Sequence, residues 1–145
     1  MTDPEIAKSP ELESPAEESP FDRIIIHYEK GRMIDALVPI DLIDQSDVPV
    51  DMDHANNLAA NMKNQMNDDN PTGQETPVGI AHIPGEKMFH ITDGFHRTRG
   101  KTEDGQEYIL CRIKTDSSWE EIIDSRILNA TNHQPTKIPR LTLRQ

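Results

Sequence analysis

Short runs of β-branched and aliphatic residues, RIIIHY, MIDALVPIDLI, VGIAHI, KMFHIT and EYILCRIK, are interleaved with stretches of helical periodicity, and this interleaving admits few architectures. A chain of 145 residues has room for one domain built this way. The expectation is an α+β fold, with a mixed sheet that contains a β-hairpin and with roughly three helices. One Trp, two Tyr and three Phe imply a small core that is mainly aliphatic.

The helical stretches differ in strength. DMDHANNLAANMKNQM carries Met52, Ala55, Leu58, Ala59, Met62 and Met66 at spacings of three and four, with Asp51 or Asp53 available as N-cap. These methionines read as packing side chains. Ser118 and Glu121 form the two ends of a capping box that opens the last helix, where Trp119, Ile122, Ile123, Ile127 and Ala130 share an apolar face and Pro135 is expected to force the exit. Between VGIAHI and KMFHIT, Pro84-Gly85-Glu86 predicts the hairpin turn, which places His82 and His90 on opposing strands. Two histidines without a third ligand make a poor metal site. Pro39 predicts a bend or an edge position, and NDDNPTGQETP reads as loop.

Residues 1–20 hold four prolines and six acidic residues against one lysine, with Ser9-Pro10, Ser14-Pro15 and Ser19-Pro20 repeating at intervals of five. Such a segment buries too little apolar surface to offset its ordering entropy, so it reads as a disordered tail ahead of a domain at 21–140 and an extension at 141–145. The tail serves either as a solubilising extension or as a set of modification or docking sites. The formal charge of −11 repels nucleic acid and anionic membranes, so DNA is a partner that the net charge does not support. A lone cysteine, Cys111, forms no internal disulfide and sits in a strand pattern that reads as core. The N-terminus lacks the pattern of a secretory signal and no apolar run has membrane-spanning length, which makes the cytoplasm the expected compartment. Oligomeric state leaves no trace in the sequence.

The densest cationic cluster of this acidic chain lies in ITDGFHRTRG, residues 91–100, where a strand pattern turns into a helical one. A helix that starts after Gly94 leaves its first N–H groups aimed beyond the strand end, and an anion fits there. Gly94 permits close approach of the backbone, while His96, Arg97 and Arg99 add charge and forked hydrogen bonds suited to phosphate oxygens. Asp93 beside a phosphate is repulsive unless it binds a metal or accepts a proton from a hydroxyl. A second reading is structural: Asp93 caps the helix, His96 packs on the sheet, and the arginines satisfy neighbouring carboxylates. Two or three charge-assisted hydrogen bonds at about 1.5–3 kcal/mol each, with up to ~2 kcal/mol from the helix terminus, barely reach micromolar affinity. A nucleotide would need contacts to base and ribose as well.

The order of elements, with ALVPIDLI, LAANMKNQM, the hairpin ending in ITDGFHRTRG and the closing SWEEIIDSRILNATNHQ, resembles the N-terminal domain of the ParB/sulfiredoxin superfamily over residues 32–140. The resemblance implies a nucleotide ligand, ATP, ADP or CTP, whose phosphates meet the turn at Gly94, Phe95, His96 and Arg97. It also implies Mg²⁺, and it places Asn129, Asn132 and His133 of the last helix near the phosphates. Departures from the pattern narrow the chemistry. Sulfiredoxins carry a reactive cysteine where this chain has Phe95, so thiol repair is not expected. ParB partition proteins follow this domain with a helix-turn-helix region, which is not expected in a chain that stops at Gln145, and the acidic residue of their last-helix signature is missing from LNATNHQ.

The Asp-Gly-x-His-Arg turn resembles that of the branch containing ADP-dependent free serine kinases. That likeness implies a catalytic or metal-binding role for Asp93, with His96 beside it and with Asp44 and Asp47 as the nearest further carboxylates. The leading expectation is a nucleotide-binding domain with Mg²⁺-dependent nucleotide hydrolase or phosphotransferase activity. The alternatives are a non-enzymatic interaction or DNA-associated accessory module of plasmid or phage type, and a ParB-like nuclease.

Overall fold

The computed structural model describes residues 19–46 and 48–137, with side chains as far as Ala130. Six strands form one mixed sheet: β1 (Ile25–Lys30), β2 (Met33–Pro39), β3 (Ile43–Asp44), β4 (Val78–Ala81), β5 (Phe89–Asp93) and β6 (Tyr108–Lys114), in the spatial order β1-β2-β6-β4-β5-β3. Among the described residues three α-helices complete the fold: α1 (Met52–Asn64), α2 (Phe95–Glu103) and α3 (Trp119–Lys137). The predicted hairpin is β4–β5, antiparallel with Ile80 opposite Ile91. β6 runs parallel to β4 and antiparallel to β2, where Ala36 faces Cys111.

Alternation along β2 and β6 sends Ile34, Ala36 and Val38, then Ile109, Cys111 and Ile113, to one face, where they join Val78, Ile80, Phe89 and Ile91 in an aliphatic core. Pro39 ends β2 and the chain enters a 3-10 turn at Ile40–Leu42, the bend its ring favours. Gln74 completes β6 beyond the end of β4: its side-chain amide donates to the Leu110 carbonyl at 2.9 Å and accepts from the Leu110 N–H at 2.8 Å, standing in for a strand residue. β1 is an edge strand with all six residues exposed.

Asp51 is the N-cap of α1, its carboxylate accepting from the amides of Asp53 and His54. The capping box of α3 is formed as predicted, with Glu121 N–H donating to Ser118 Oγ at 3.1 Å and Ser118 N–H donating to Glu121 Oε1 at 3.0 Å. Two expectations for α3 change. The helix continues through Pro135 to Lys137, against the exit expected there, although a proline at that position gives up one donor of the ladder. Its apolar residues do not bury as one face: Ile122 is 1% exposed, but Trp119, Ile123 and Ile127 stand 45%, 40% and 62% exposed. The described part of the helix packs chiefly along β5 and is anchored there by polar bonds, from Arg126 Nε to the Ile91 carbonyl and from Asn129 Nδ2 to the Thr92 carbonyl, both 2.8 Å.

His82 and His90 come close to one residue, Glu86, through different atoms. His82 Nε2 lies 2.7 Å from its carbonyl oxygen and His90 Nε2 lies 2.6 Å from its carboxylate. Each ring thus has a protein partner, with His90 also tilted against Trp119 at 4.7 Å. Of the tail expected at 1–20, residues 1–18 lie outside the described residues, as does the extension at 141–145; Ser19 is the N-cap of a 3-10 turn at Pro20–Arg23, in which Pro20 is buried.

Candidate phosphate-binding turn

The turn is built by the strand end of β5 and the start of α2. Gly94 has φ 92° and ψ 34°, in the left-handed region that non-glycine residues avoid. A Cβ there would lie 2.7 Å from Val78 Cγ1, so the position needs glycine for its conformation and for its close approach to β4. Gly94 is the N-cap of α2 and supplies no side-chain cap. The first helical bond runs from Thr98 N–H to the Gly94 carbonyl at 3.0 Å, which leaves the amides of residues 95–97 ahead of the ladder.

A cleft of about 300 Å³ opens over this helix start, lined by Asp93, Gly94, Phe95, His96 and Arg97, with His54 and Leu58 of α1 and Arg126 and Ala130 of α3. Five residues singled out from the sequence are therefore brought to one concavity. Arg97 Nη1 donates to the Thr76 carbonyl at 2.8 Å and to Thr76 Oγ1 at 3.1 Å, and its Nη2 lies 3.9 Å from Asp93 Oδ2. His96 Nε2 accepts from the Asp51 N–H at 3.1 Å, tying the start of α2 to the start of α1, and its ring meets that of His54 at 4.7 Å.

The remaining residues go elsewhere. Arg99 follows Arg97 by two positions, about 200° around a helix, and its Nε donates to Gln45 Oε1 at 3.1 Å; it does not line the cleft. Asn129 shares a second cleft with Asp93, between α3 and the sheet. The side chains of Asn132 and His133 lie outside the described residues, as does Asp47. Asp44 lines neither cleft, because Ser46 holds it through hydroxyl and amide bonds of 2.6 and 2.9 Å, which keep its carboxyl below the ordinary range.

Arg126 was not singled out from the sequence. Its guanidinium lies 5.4 Å from the ring centres of both Phe95 and Trp119 while Nε bonds the Ile91 carbonyl. The local signal was only an arginine inside an apolar pattern, which ordinarily reads as a solvated helix position. Cys111 is fully buried, and burial pushes its thiol far above the usual range, so it is inert beside this site.

No protein-family model matches the chain, and no curated protein matches it. Among solved structures the fold is similar to the C-terminally truncated chromosome-partitioning protein ParB from Caulobacter crescentus complexed with CTP-γ-S, with TM-score 0.50 and 15% identity over 68% of this chain and 53% of that one. The same ParB complexed to the centromeric parS site matches with TM-score 0.46 and 13% identity, over 68% and 48% of the two chains. Sulfiredoxin from Arabidopsis thaliana matches with TM-score 0.43 and 15% identity, over 66% and 96%. The chain spans about half the length of the ParB structures it matches. The ParB match shows a ParB-like fold.

Proposed function

We propose that the chain is a ParB-like nucleotide-binding domain whose ligand phosphates sit at residues 93–97. The observation that carries this reading is the left-handed Gly94 pressed against Val78, which opens α2 into a cleft without a side-chain cap. Amides of the first turn supply partial positive charge there, and Arg97 brings a full one. The ParB structure with CTP-γ-S is the reason to test a nucleotide before other phosphates.

Mg²⁺ fits this site in one way. No group of three or more His, Cys, Asp or Glu residues among those described could hold an ion, so the metal would arrive on the nucleotide phosphates with Asp93 as its protein ligand, as Mg²⁺ commonly does. The alternative role for Asp93, in hydrolysis or transfer to a hydroxyl, is to accept the proton of the attacking oxygen as the bond from phosphorus to the bridging oxygen of the nucleotide breaks, while Arg97 and the amides balance the charge on the phosphates. His96 has Nε2 engaged by Asp51 N–H, and its part is to hold α1 against the turn.

The test is a titration of wild type and Arg97→Ala with ATP, ADP and CTP in the presence of Mg²⁺. Saturable binding of at least one nucleotide is expected, weakened about tenfold by loss of Arg97, equivalent to ~1.4 kcal/mol. Folded protein that binds none of the three rejects the proposal. Where binding is found, phosphate release that stops in Asp93→Asn supports the catalytic role, and release that continues removes it.

A further inference from the structure

Helix α1 packs chiefly on α2, and its N-terminal part makes one wall of the phosphate cleft through His54 and Leu58. Two contacts fix that wall. Gly100 lets α2 approach Ala55, which is fully buried, and the Asp51 N–H donates to His96 Nε2 at 3.1 Å. The second contact carries a chemical condition that the first lacks.

A backbone amide can only donate, so His96 Nε2 must offer a lone pair, and the ring proton of the neutral imidazole then lies on Nδ1. Protonation makes both ring nitrogens donors. Nε2–H and the Asp51 N–H would point at each other, and the contact would turn from attraction to repulsion. The Asp51 carboxylate could receive the new proton only by leaving the Asp53 and His54 amides that it caps. Among the described residues, the titratable and charged groups around the ring are Asp51 and His54 of α1, the latter with its ring 4.7 Å away, and the cleft neighbours Asp93, Arg97 and Arg126.

We propose that His96 is a pH-sensitive latch: the neutral ring holds the N-terminus of α1 against the phosphate turn, and the charged ring releases it, so that acid opens the cleft at 93–97. A latch that needs the neutral ring is complete above the imidazole titration and is lost as pH falls through it. Its bearing on nucleotide rests on the function proposed above, but the latch itself is read in the ligand-free chain, so the two fail separately.

The experiment is NMR of the native full chain without ligand from about pH 8 to about pH 5, the range in which an imidazole changes charge and ordinary carboxylates do not. Ring nitrogen shifts should place the His96 proton on Nδ1 at the upper end. As the ring titrates, the Asp51 amide should move with the same midpoint. Hydrogen-exchange protection of the Asp51 and Ala55 amides, corrected for intrinsic rate, should fall about fivefold, the worth of one hydrogen bond. His96→Gln sets a neutral amide in place of the imidazole and should remove the pH dependence, while His54→Gln should leave it in place; circular dichroism checks that both variants fold. A ring protonated on Nε2 at the upper end, an Asp51 amide that ignores the His96 titration, or a pH dependence that survives in folded His96→Gln or vanishes in folded His54→Gln overturns the inference. Tautomer and co-titration in the wild-type chain decide it even where a variant misfolds.

Discussion

At the scale of single residues, the turn depends on Gly94 more than on any charge near it. Gly94→Ala places a Cβ at φ 92° and within 2.7 Å of Val78 Cγ1. The left-handed conformation alone costs about 1–2 kcal/mol, so urea unfolding should show a loss of at least that size, and nucleotide affinity should fall further than Arg97→Ala reduces it. A Gly94→Ala protein as stable as wild type would show that the turn relaxes without cost. Cys111 gives an opposite kind of prediction. Its thiol is buried and its pKa raised, so a thiol reagent should react at the rate of unfolding rather than at the rate of a free thiol.

At the scale of elements, α1 and α2 meet at Gly100, where a Cβ would stand 2.4 Å from the Ala55 carbonyl oxygen and 3.1 Å from Ala59 Cβ. Glycine inside a helix normally costs about 1 kcal/mol relative to alanine. Here the sign should reverse: Gly100→Ala must push α1 away, and a lower melting temperature is the expected outcome. Gln74→Ala should cost about 2–4 kcal/mol by denaturant unfolding, since it strands both the N–H and the carbonyl of Leu110. Glycine and glutamine in such places carry no sign in the sequence of the contact they make, because helix crossing and strand completion join segments distant along the chain. The hairpin, the caps at Asp51 and Ser118, and the turn at Gly94 were legible because their signals are local. Arg126 was not, because its place depends on where α3 docks, whereas the parting of Arg97 from Arg99 follows from the angle of about 200° between positions two apart on one helix.

At the scale of the whole molecule, charge decides behaviour on both sides of neutrality. With a formal charge of −11 the chain should show no retained binding to non-specific duplex DNA at physiological salt, and a gel shift there would contradict the charge argument. Hydrogen bonds from Arg112 and from Ser46 hold Asp35 and Asp44 below their ordinary value of 3.8. A depressed carboxyl contributes stability above its unfolded pKa and loses it as pH falls through the folded value. Melting temperature should therefore drop as pH falls below about 4, and Asp35→Asn should flatten part of that fall. The claim on which the functional account rests is that the open amides of α2 receive phosphate. Amide chemical shifts recorded while Mg²⁺-nucleotide is added test it most directly. The account predicts saturable shifts that are largest at residues 94–97 and lost in Gly94→Ala; shifts confined to other parts of the chain, with these amides unmoved, would contradict it.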